Sequence, residues 1–367
     1  MAPGGKRVLI VKQSSLGDVV HTLPVVHALT RCHPDWTIGW VVNQPFAPLV
    51  QRDPAVAGVY PIHIPSTSDP SAGRRAWFRA FTATLRVLGR LRREFHAEPW
   101  DLVLDLHASF RSGLLALMNP GGRRMGFADA RELNTLFQHQ LVQNPTGRVH
   151  AVEKNLLFAE ALGCPPEAAD FHLCTDAADE RRVAEFLAAE GIAADEPVVY
   201  VNPTARWATK FWLVERWAEL ADRLLAEGIR PVFGGSGGDV TYIGGITGRM
   251  HGRASVAAGA LSLTESAALM RRAAVYAGLD TGPMHMAAMI GTPVVALFGP
   301  THPERVGPYR VAHAVVRAEG LDCLSCRRRS CDHLSCMRAI ATETVYRQVM
   351  AFVRSGPPGE GQPWTSA

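Results

Sequence analysis

Short apolar runs recur along the chain. Most end in a turn of glycine, serine, threonine or asparagine and give way to a run with helical spacing. Arg7 to Lys12 (RVLIVK) reads as a buried strand, Gln13 to Asp18 as a loop of small and polar residues, and a helix is expected from about His21–Pro24 to Arg31. Thr37 to Val42, Gly58 to Ile64 and Asp101 to Leu106 are further strands, and His107 to Gly113 is the polar exit of the last. His150 to Leu162 is a helix closed by Gly163. The pattern then restarts. Pro197 to Val201 is a strand, Leu213 to Glu227 a helix with Leu213, Trp217, Leu220 and Leu224 on one face, and Arg230 to Phe233 a strand running into the glycine loop Gly234 to Asp239. Ser262 and Glu265 form a capping box for a helix to Arg272. Val275 to Leu279 is a strand ending at Asp280, Thr281-Gly282-Pro283 opens a helix from Met284 to Ile290, Gly291 stops it, and Pro293 to Phe298 is the next strand.

Strand, turn, helix and strand in this order make parallel-sheet units. Two such series predict an α/β protein of two Rossmann-like domains facing across a cleft. The expected boundaries are an N-terminal domain over 1–165, a linker over 166–177 and a C-terminal domain over 178–338. A helix over 339–355 is expected to pack back on the first domain, followed by a tail over 356–367. The length of 367 residues and an apolar fraction of 47% suffice for two cores. A net charge of +4 does not point to a nucleic-acid binder. No apolar run approaches a membrane span, and Val8 to Val11 is too short for a signal peptide, so a cytosolic protein is expected. The first turn lacks G-x-G-x-x-G, which leaves a dinucleotide cradle unsupported.

Candidate chemistry gathers at the carboxyl ends of the strands, where open α/β sheets bind ligands. The N–H groups of Thr281 and Gly282 lie at a helix N-terminus, which favours an anion. With Thr204 and Lys210 they supply the hydroxyl, ammonium and backbone donors that a diphosphate needs. Asp18 follows the first strand, where it can face a bound ligand or only cap a helix. Arg74 to Arg93 contains seven arginines and no acid, with Trp77, Phe78, Phe81, Leu85, Leu88 and Leu91 between them at helical spacing. This basic amphipathic helix fits an anionic substrate, an anionic membrane surface or a solvated face. Seven cysteines, an odd number, argue against a disulfide framework. Cys323, Cys326, Cys331 and Cys336 are spaced C-x2-C-x4-C-x4-C, open to zinc but better read as reduced, packed thiols, with no metal expected.

Three ordered segments, RVLIVKQSSLGDVVHTLPVVHAL, NPTARWATKFW and GLDTGPMHMAAMIGTPVVALFGPTHPERVGPY, together resemble glycosyltransferase family 9, the lipopolysaccharide heptosyltransferases. The resemblance runs from Arg7 to about Ile340. It implies a GT-B fold with the acceptor on the first domain and the nucleotide sugar on the second. It also implies inverting transfer of heptose from ADP-heptose to the Kdo/heptose inner core of a lipopolysaccharide precursor, with no cofactor required, at the cytoplasmic face of the inner membrane. Asp18 matches the family's general base, Lys210 its donor-phosphate lysine, Asp280 the acid near the sugar, Thr281 and Gly282 the diphosphate turn, and His285 the histidine after it. Arg74, Arg75 and Arg79 fall where the family places basic residues for anionic Kdo or phosphate groups. Ser15, Gly17, His107 and Arg111, at strand exits of the same domain, are assigned to the acceptor as well. Two positions depart. Ser255-Val256-Ala257 stands where some members carry an acid for the donor ribose, and Ala108 where many carry glycine. A transferase for another nucleotide sugar, or a binding module without turnover, therefore stays open beside the heptosyltransferase reading.

Overall fold

The computed structural model describes residues 5–65 and 74–355; the Arg74 side chain and the tail expected at 356–367 lie outside the described residues. The chain divides into two compact units, Met1–Phe171 and His172–Ala367. The first holds a parallel sheet of β1 (Arg7–Val11), β2 (Thr37–Asn43), β3 (Gly58–Ile62), β4 (Leu102–Asp105), β5 (Arg123–Phe127) and β6 (Gln140–Val142) in the order β3-β2-β1-β4-β5-β6. The second repeats it with β7 (Val198–Asn202), β8 (Arg230–Phe233), β9 (Ser255–Val256), β10 (Val275–Leu279), β11 (Val294–Phe298) and β12 (His313–Arg317), in the order β12-β11-β10-β7-β8-β9. Each sheet reverses its winding once, between β1 and β4 and between β7 and β10. A crevice forms outside the strand ends at such a switch point, and ligands settle there.

The central strands are apolar on both faces because helices cover both, and every residue of β7, β10 and β11 is buried. In the first unit Leu9, Val11, Val41 and Val103 pack with Leu91, Phe95 and Trp100. In the second, Trp212 and Trp217 meet edge to face at 4.9 Å among Val199, Val201, Leu220 and Leu224. Two expectations give way here. The helix Thr342–Ser355 packs on the helix Val214–Ala226 and on β10, β11 and β12 of its own unit, where the sequence reading sent it to the first domain. Its Val345 and Val349 complete the second core. The loop expected over Gln13 to Asp18 is partly helical: Leu16–Val20 is a short helix, and a second, Leu23–Cys32, starts with Pro24 in its first turn. Strands β5, β6, β9 and β12 carry no long apolar run, since they lie toward or at the sheet edges.

The long helix Arg74–Ala97 has two characters. Toward its end Leu91 and Phe95 are fully buried, whereas Trp77, Phe78, Phe81 and Leu85 are between 52% and 68% exposed. The spacing read these aromatics as one stripe with Leu88 and Leu91; only the later part of the stripe enters the core.

Gly278 is required where β10 meets β7. A Cβ there would stand 2.5 Å from the Tyr276 hydroxyl and 2.8 Å from the Asn202 carbonyl oxygen, which is backbone and cannot swing away. Gly278→Ala is expected to cost about 1–3 kcal/mol by overpacking, measured as a lower denaturant midpoint with an unchanged slope.

Candidate active site

At the first switch point β1 runs into Lys12. The Lys12 ammonium donates to the Leu106 carbonyl oxygen at 2.7 Å and stands 3.8 Å from the Asp18 carboxylate. Asp18 sits in the first turn of the helix Leu16–Val20, where one carboxylate oxygen accepts from both the Ser15 N–H and the Ser15 hydroxyl at 2.8 Å. The Asp18 side chain thus closes the cap of its helix and faces a lysine at once. The Asp18 side chain is 45% exposed and that of Lys12 9%. Burial disfavours the charged form of Asp18, but Lys12, the Ser15 N–H, His21 and the Ser15 hydroxyl outweigh it and hold the carboxyl below the ordinary aspartate range.

The exit of β4 is held by a residue the sequence reading passed over. Asp105 is fully buried, and its carboxylate accepts from the N–H groups of His107 and Ala108 at 3.1 Å. It also accepts from Ser112 Oγ at 2.9 Å, Asn134 Nδ2 at 2.7 Å and Gln138 Nε2 at 3.2 Å. Burial pushes this carboxyl up, against those hydrogen bonds. The bonds fix a turn in which Ala108 has a φ of 59°, the left-handed region that glycine adopts most easily. That accounts for the glycine expected at this position. The turn presents His107 and then Arg111 in the helix Phe110–Ala116. An acid inside the strand pattern DLVLDL was the available signal for Asp105.

His107 feels Lys12, Asp18 and Arg111 at once. Burial, first, then the Lys12 and Arg111 charges push its ring down to about 4, with Asp18 and a hydrogen bond to the Ser14 backbone pulling the other way. Asp18, Lys12, His107 and Arg111 therefore form one electrostatic group, with Ser15 and the buried Gly17 in the same turn. Arg75 and Arg79 are exposed on the helix Arg74–Ala97, and no contact described here brings them to this group.

In the second unit the ends of β7 and β10 are tied by Asn202, which the sequence reading took only as the start of a loop. Its side-chain oxygen accepts from the Thr281 hydroxyl at 3.1 Å and from Tyr276 at 3.4 Å, and its amide donates to the Gly234 carbonyl oxygen at 3.2 Å. Thr281 is extended at the N-cap of the helix Gly282–Met289. Lys210 reaches across from the turn after β7. Its ammonium donates to the Asp280 backbone oxygen and to the Asp280 carboxylate, both at 2.7 Å. His285 Nε2 stands 3.9 Å from the other carboxylate oxygen. Asp280 and His285 are buried, as is Thr204 just past β7. Lys210, Asp280, Thr281 and His285 are thus brought together, and an anion at this helix N-terminus would meet an ammonium and free backbone N–H groups. The expected glycine loop is ordered by its own cap: the Asp239 carboxylate accepts from the Ser236 N–H at 2.7 Å and its hydroxyl at 2.6 Å.

All seven cysteines are free thiols. Cys323, Cys326, Cys331 and Cys336 line one cavity of about 330 Å³ with Asp322 and His333. Burial raises the Cys336 thiol, and the other three add to the rise. Among the described residues, no three cysteine, histidine or acidic side chains converge as a metal-ligand set.

The depressed His107 ring has a measurable consequence. An unfolded chain takes up this proton near pH 6.5, whereas the folded one waits until about 4. Its contribution to stability is therefore complete above about pH 6.5 and is lost as the pH falls through that window. The His107 ring nitrogens should show no titration between pH 7.5 and 5 by ¹⁵N NMR, and His107→Gln should flatten part of the fall in Tm over that range.

Known proteins resemble this chain over most of its length. Residues 88–336 match glycosyltransferase family 9 (heptosyltransferase). The lipopolysaccharide heptosyltransferase 1 of Pseudomonas aeruginosa is 32% identical over 339 residues, 89% of this chain and 88% of that protein. A glycosyl transferase family 9 structure from Veillonella parvula superposes with a TM-score of 0.80 at 22% identity, over 97% of this chain and 99% of that one. The Escherichia coli heptosyltransferase WaaC with ADP superposes with a TM-score of 0.70 at 25% identity, over 94% of this chain and 99% of that one. The fold is GT-B, and the chain belongs to glycosyltransferase family 9 and is a glycosyltransferase.

Proposed function

We propose that the chain transfers a heptose from ADP-heptose to the Kdo/heptose inner core of a lipopolysaccharide precursor. The second unit takes the donor and the first takes the acceptor. The observation that carries the reading is Lys210 set against Asp280 beside the N-terminus of the helix Gly282–Met289. The relative named lipopolysaccharide heptosyltransferase 1 supports the acceptor class, and WaaC with ADP supports the nucleotide.

Transfer is a single inverting displacement. An acceptor hydroxyl oxygen bonds to the anomeric carbon as the bond from that carbon to the diphosphate oxygen breaks. The hydroxyl proton passes to Asp18, and ADP leaves with the electron pair. Asp18 is a weak base, held charged by Lys12 and Ser15. A weak base suffices when the transition state resembles an oxocarbenium ion, because the hydroxyl becomes acidic only as its oxygen bonds to carbon. Lys210 and the N–H groups at Thr281 and Gly282 stabilise the charge growing on the diphosphate.

Nucleoside diphosphate release, measured over a panel of nucleotide sugars with Kdo-lipid A and heptosyl-Kdo-lipid A, tests the reading. ADP-heptose should be consumed and other donors should not; turnover of a different donor alone, or of none, overturns it. Asp18→Asn keeps both Ser15 hydrogen bonds available and removes the basicity. It should lower kcat by about 10²–10⁴-fold with donor KM and Tm almost unchanged. Lys210→Ala should raise donor KM and lower kcat. It strands the Asp280 carboxylate and so lowers Tm too, whereas Lys210→Arg keeps the charge and separates the two effects.

The helix Arg74–Ala97 serves the anionic acceptor and the bilayer that carries it, at the cytoplasmic face of the inner membrane. Exposed Trp77, Phe78, Phe81 and Leu85 beside arginines fit an interface of acyl chains and anionic headgroups. Among the described residues no helix is long and apolar enough to cross a membrane. Replacing Arg75 and Arg79 with glutamine should weaken sedimentation with anionic vesicles and raise acceptor KM but not donor KM. Both effects should shrink at high salt, as exposed charges are screened over about 8–10 Å. Unchanged acceptor KM and vesicle binding would make the helix a solvated face.

A further inference from the structure

We propose that Arg329, in the cysteine-rich segment, is a second cation of the diphosphate cradle. The proposal rests on the reading of the second unit as the donor-binding half.

The segment is fastened on two sides. The Ser325 N–H donates to the Gly299 carbonyl oxygen at 2.9 Å, the Arg327 N–H donates to that of Pro300 at 2.7 Å, and Ser325 Oγ donates to that of Thr301 at 3.1 Å. These bonds seat it on the carboxyl end of β11. On the other side the Thr209 hydroxyl donates to the Arg328 carbonyl oxygen at 2.8 Å. Thr209 precedes Lys210, so the backbone beside Arg329 is tied to the turn that carries the lysine. The two side chains meet at one ring. The Lys210 ammonium stands 5.0 Å from the centroid of Trp207, and the Arg329 guanidinium stands 5.1 Å from the same centroid. Both distances suit a cation–π contact.

Charge balance says why a second cation belongs there. Lys210 is already matched by the Asp280 carboxylate at 2.7 Å, so the pair offers hydrogen-bond donors with little net charge. A helix N-terminus adds the equivalent of roughly half a positive charge. A nucleoside diphosphate carries more negative charge than that. Among the described residues no carboxylate forms an ion pair with Arg329, and its neighbours Arg327 and Arg328 are also exposed cations. The guanidinium can engage two phosphate oxygens at once, while the indole holds its plane.

The test is a calorimetric titration of the full chain with ADP and with AMP, for the parent, Arg329→Ala and Arg329→Lys. Charge-assisted hydrogen bonds on an exposed side chain predict a loss of about 10-fold in ADP affinity for Arg329→Ala. AMP should lose less, Arg329→Lys should recover part of the loss, and Tm should not move. In turnover the donor KM should rise while the acceptor KM stays. Equal ADP affinity in the parent and Arg329→Ala overturns the proposal and leaves the donor reading intact. An acceptor KM that rises alone moves Arg329 to the acceptor and overturns it as well. A parent chain that binds no ADP overturns both.

Discussion

The ion pair between Lys210 and Asp280 is the interaction on which the carboxyl end of the second sheet depends. Both side chains are largely buried, at 15% and 5% exposure, so neither charge is cheaply solvated by water. A buried pair lasts only when its geometry is good and further hydrogen bonds satisfy the remaining atoms. Here the ammonium takes the carboxylate and the Asp280 backbone oxygen together, and a helix N-terminus begins two residues later. Lys210 enters from the loop after β7 and Asp280 ends β10. The pair therefore closes the switch point of the sheet, and Asn202 repeats the closure below it through Thr281, Tyr276 and Gly234. On the proposed donor reading an arriving diphosphate competes with Asp280 for the same ammonium, and the carboxylate takes the lysine back on release.

The first unit uses the same device in a looser form. Lys12 stands 3.8 Å from Asp18 and is anchored by the Leu106 carbonyl oxygen, so it bridges the ends of β1 and β4 much as Lys210 bridges β7 and β10. The difference lies in exposure. Asp280 is buried and engaged, whereas Asp18 keeps 45% of its side chain accessible. The base role proposed for Asp18 needs that access; a carboxylate that holds a lysine in place does not.

Much of this was legible in the sequence, because the central strands are apolar on both faces and their polar residues appear abruptly at the carboxyl ends. Asp280 and Thr281 announce themselves in that way, while Asp18 and Lys210 stand further along the segments that leave β1 and β7. What was not legible falls into two kinds. Edge strands such as β9 and β12 are short or half-buried, so no apolar run marks them. Lys12 and Asn202 hold backbone distant in sequence, at Leu106 and Gly234, and Asp105 takes the distant side chains of Asn134 and Gln138 as well as its own turn; no local pattern encodes those partners. The aromatics of Arg74 to Arg93 are a related case. Helical spacing identifies a face but not what covers it, and in the earlier half of that helix the apolar face stays exposed.

Asp18 shows how far local geometry can be trusted. Asp239 forms the same cap after β8, with the Ser236 N–H and hydroxyl on one carboxylate oxygen, as Ser15 gives to Asp18. Ser109 and Ser112 repeat the arrangement after β4 without any carboxylate. A serine-led cap at a strand exit is thus a recurring solution to starting a helix there, and by itself assigns no chemistry. The surroundings distinguish the two aspartates. Asp18, unlike Asp239, has a lysine ammonium within 4 Å, a histidine held neutral near it by burial and charge, and Arg111 in the first turn of the helix Phe110–Ala116. Those groups sit at the switch point of the first sheet, while Asp239 follows a strand away from the switch point of the second. The proton-accepting role proposed for Asp18 therefore draws on its neighbours and its place in the sheet rather than on the cap.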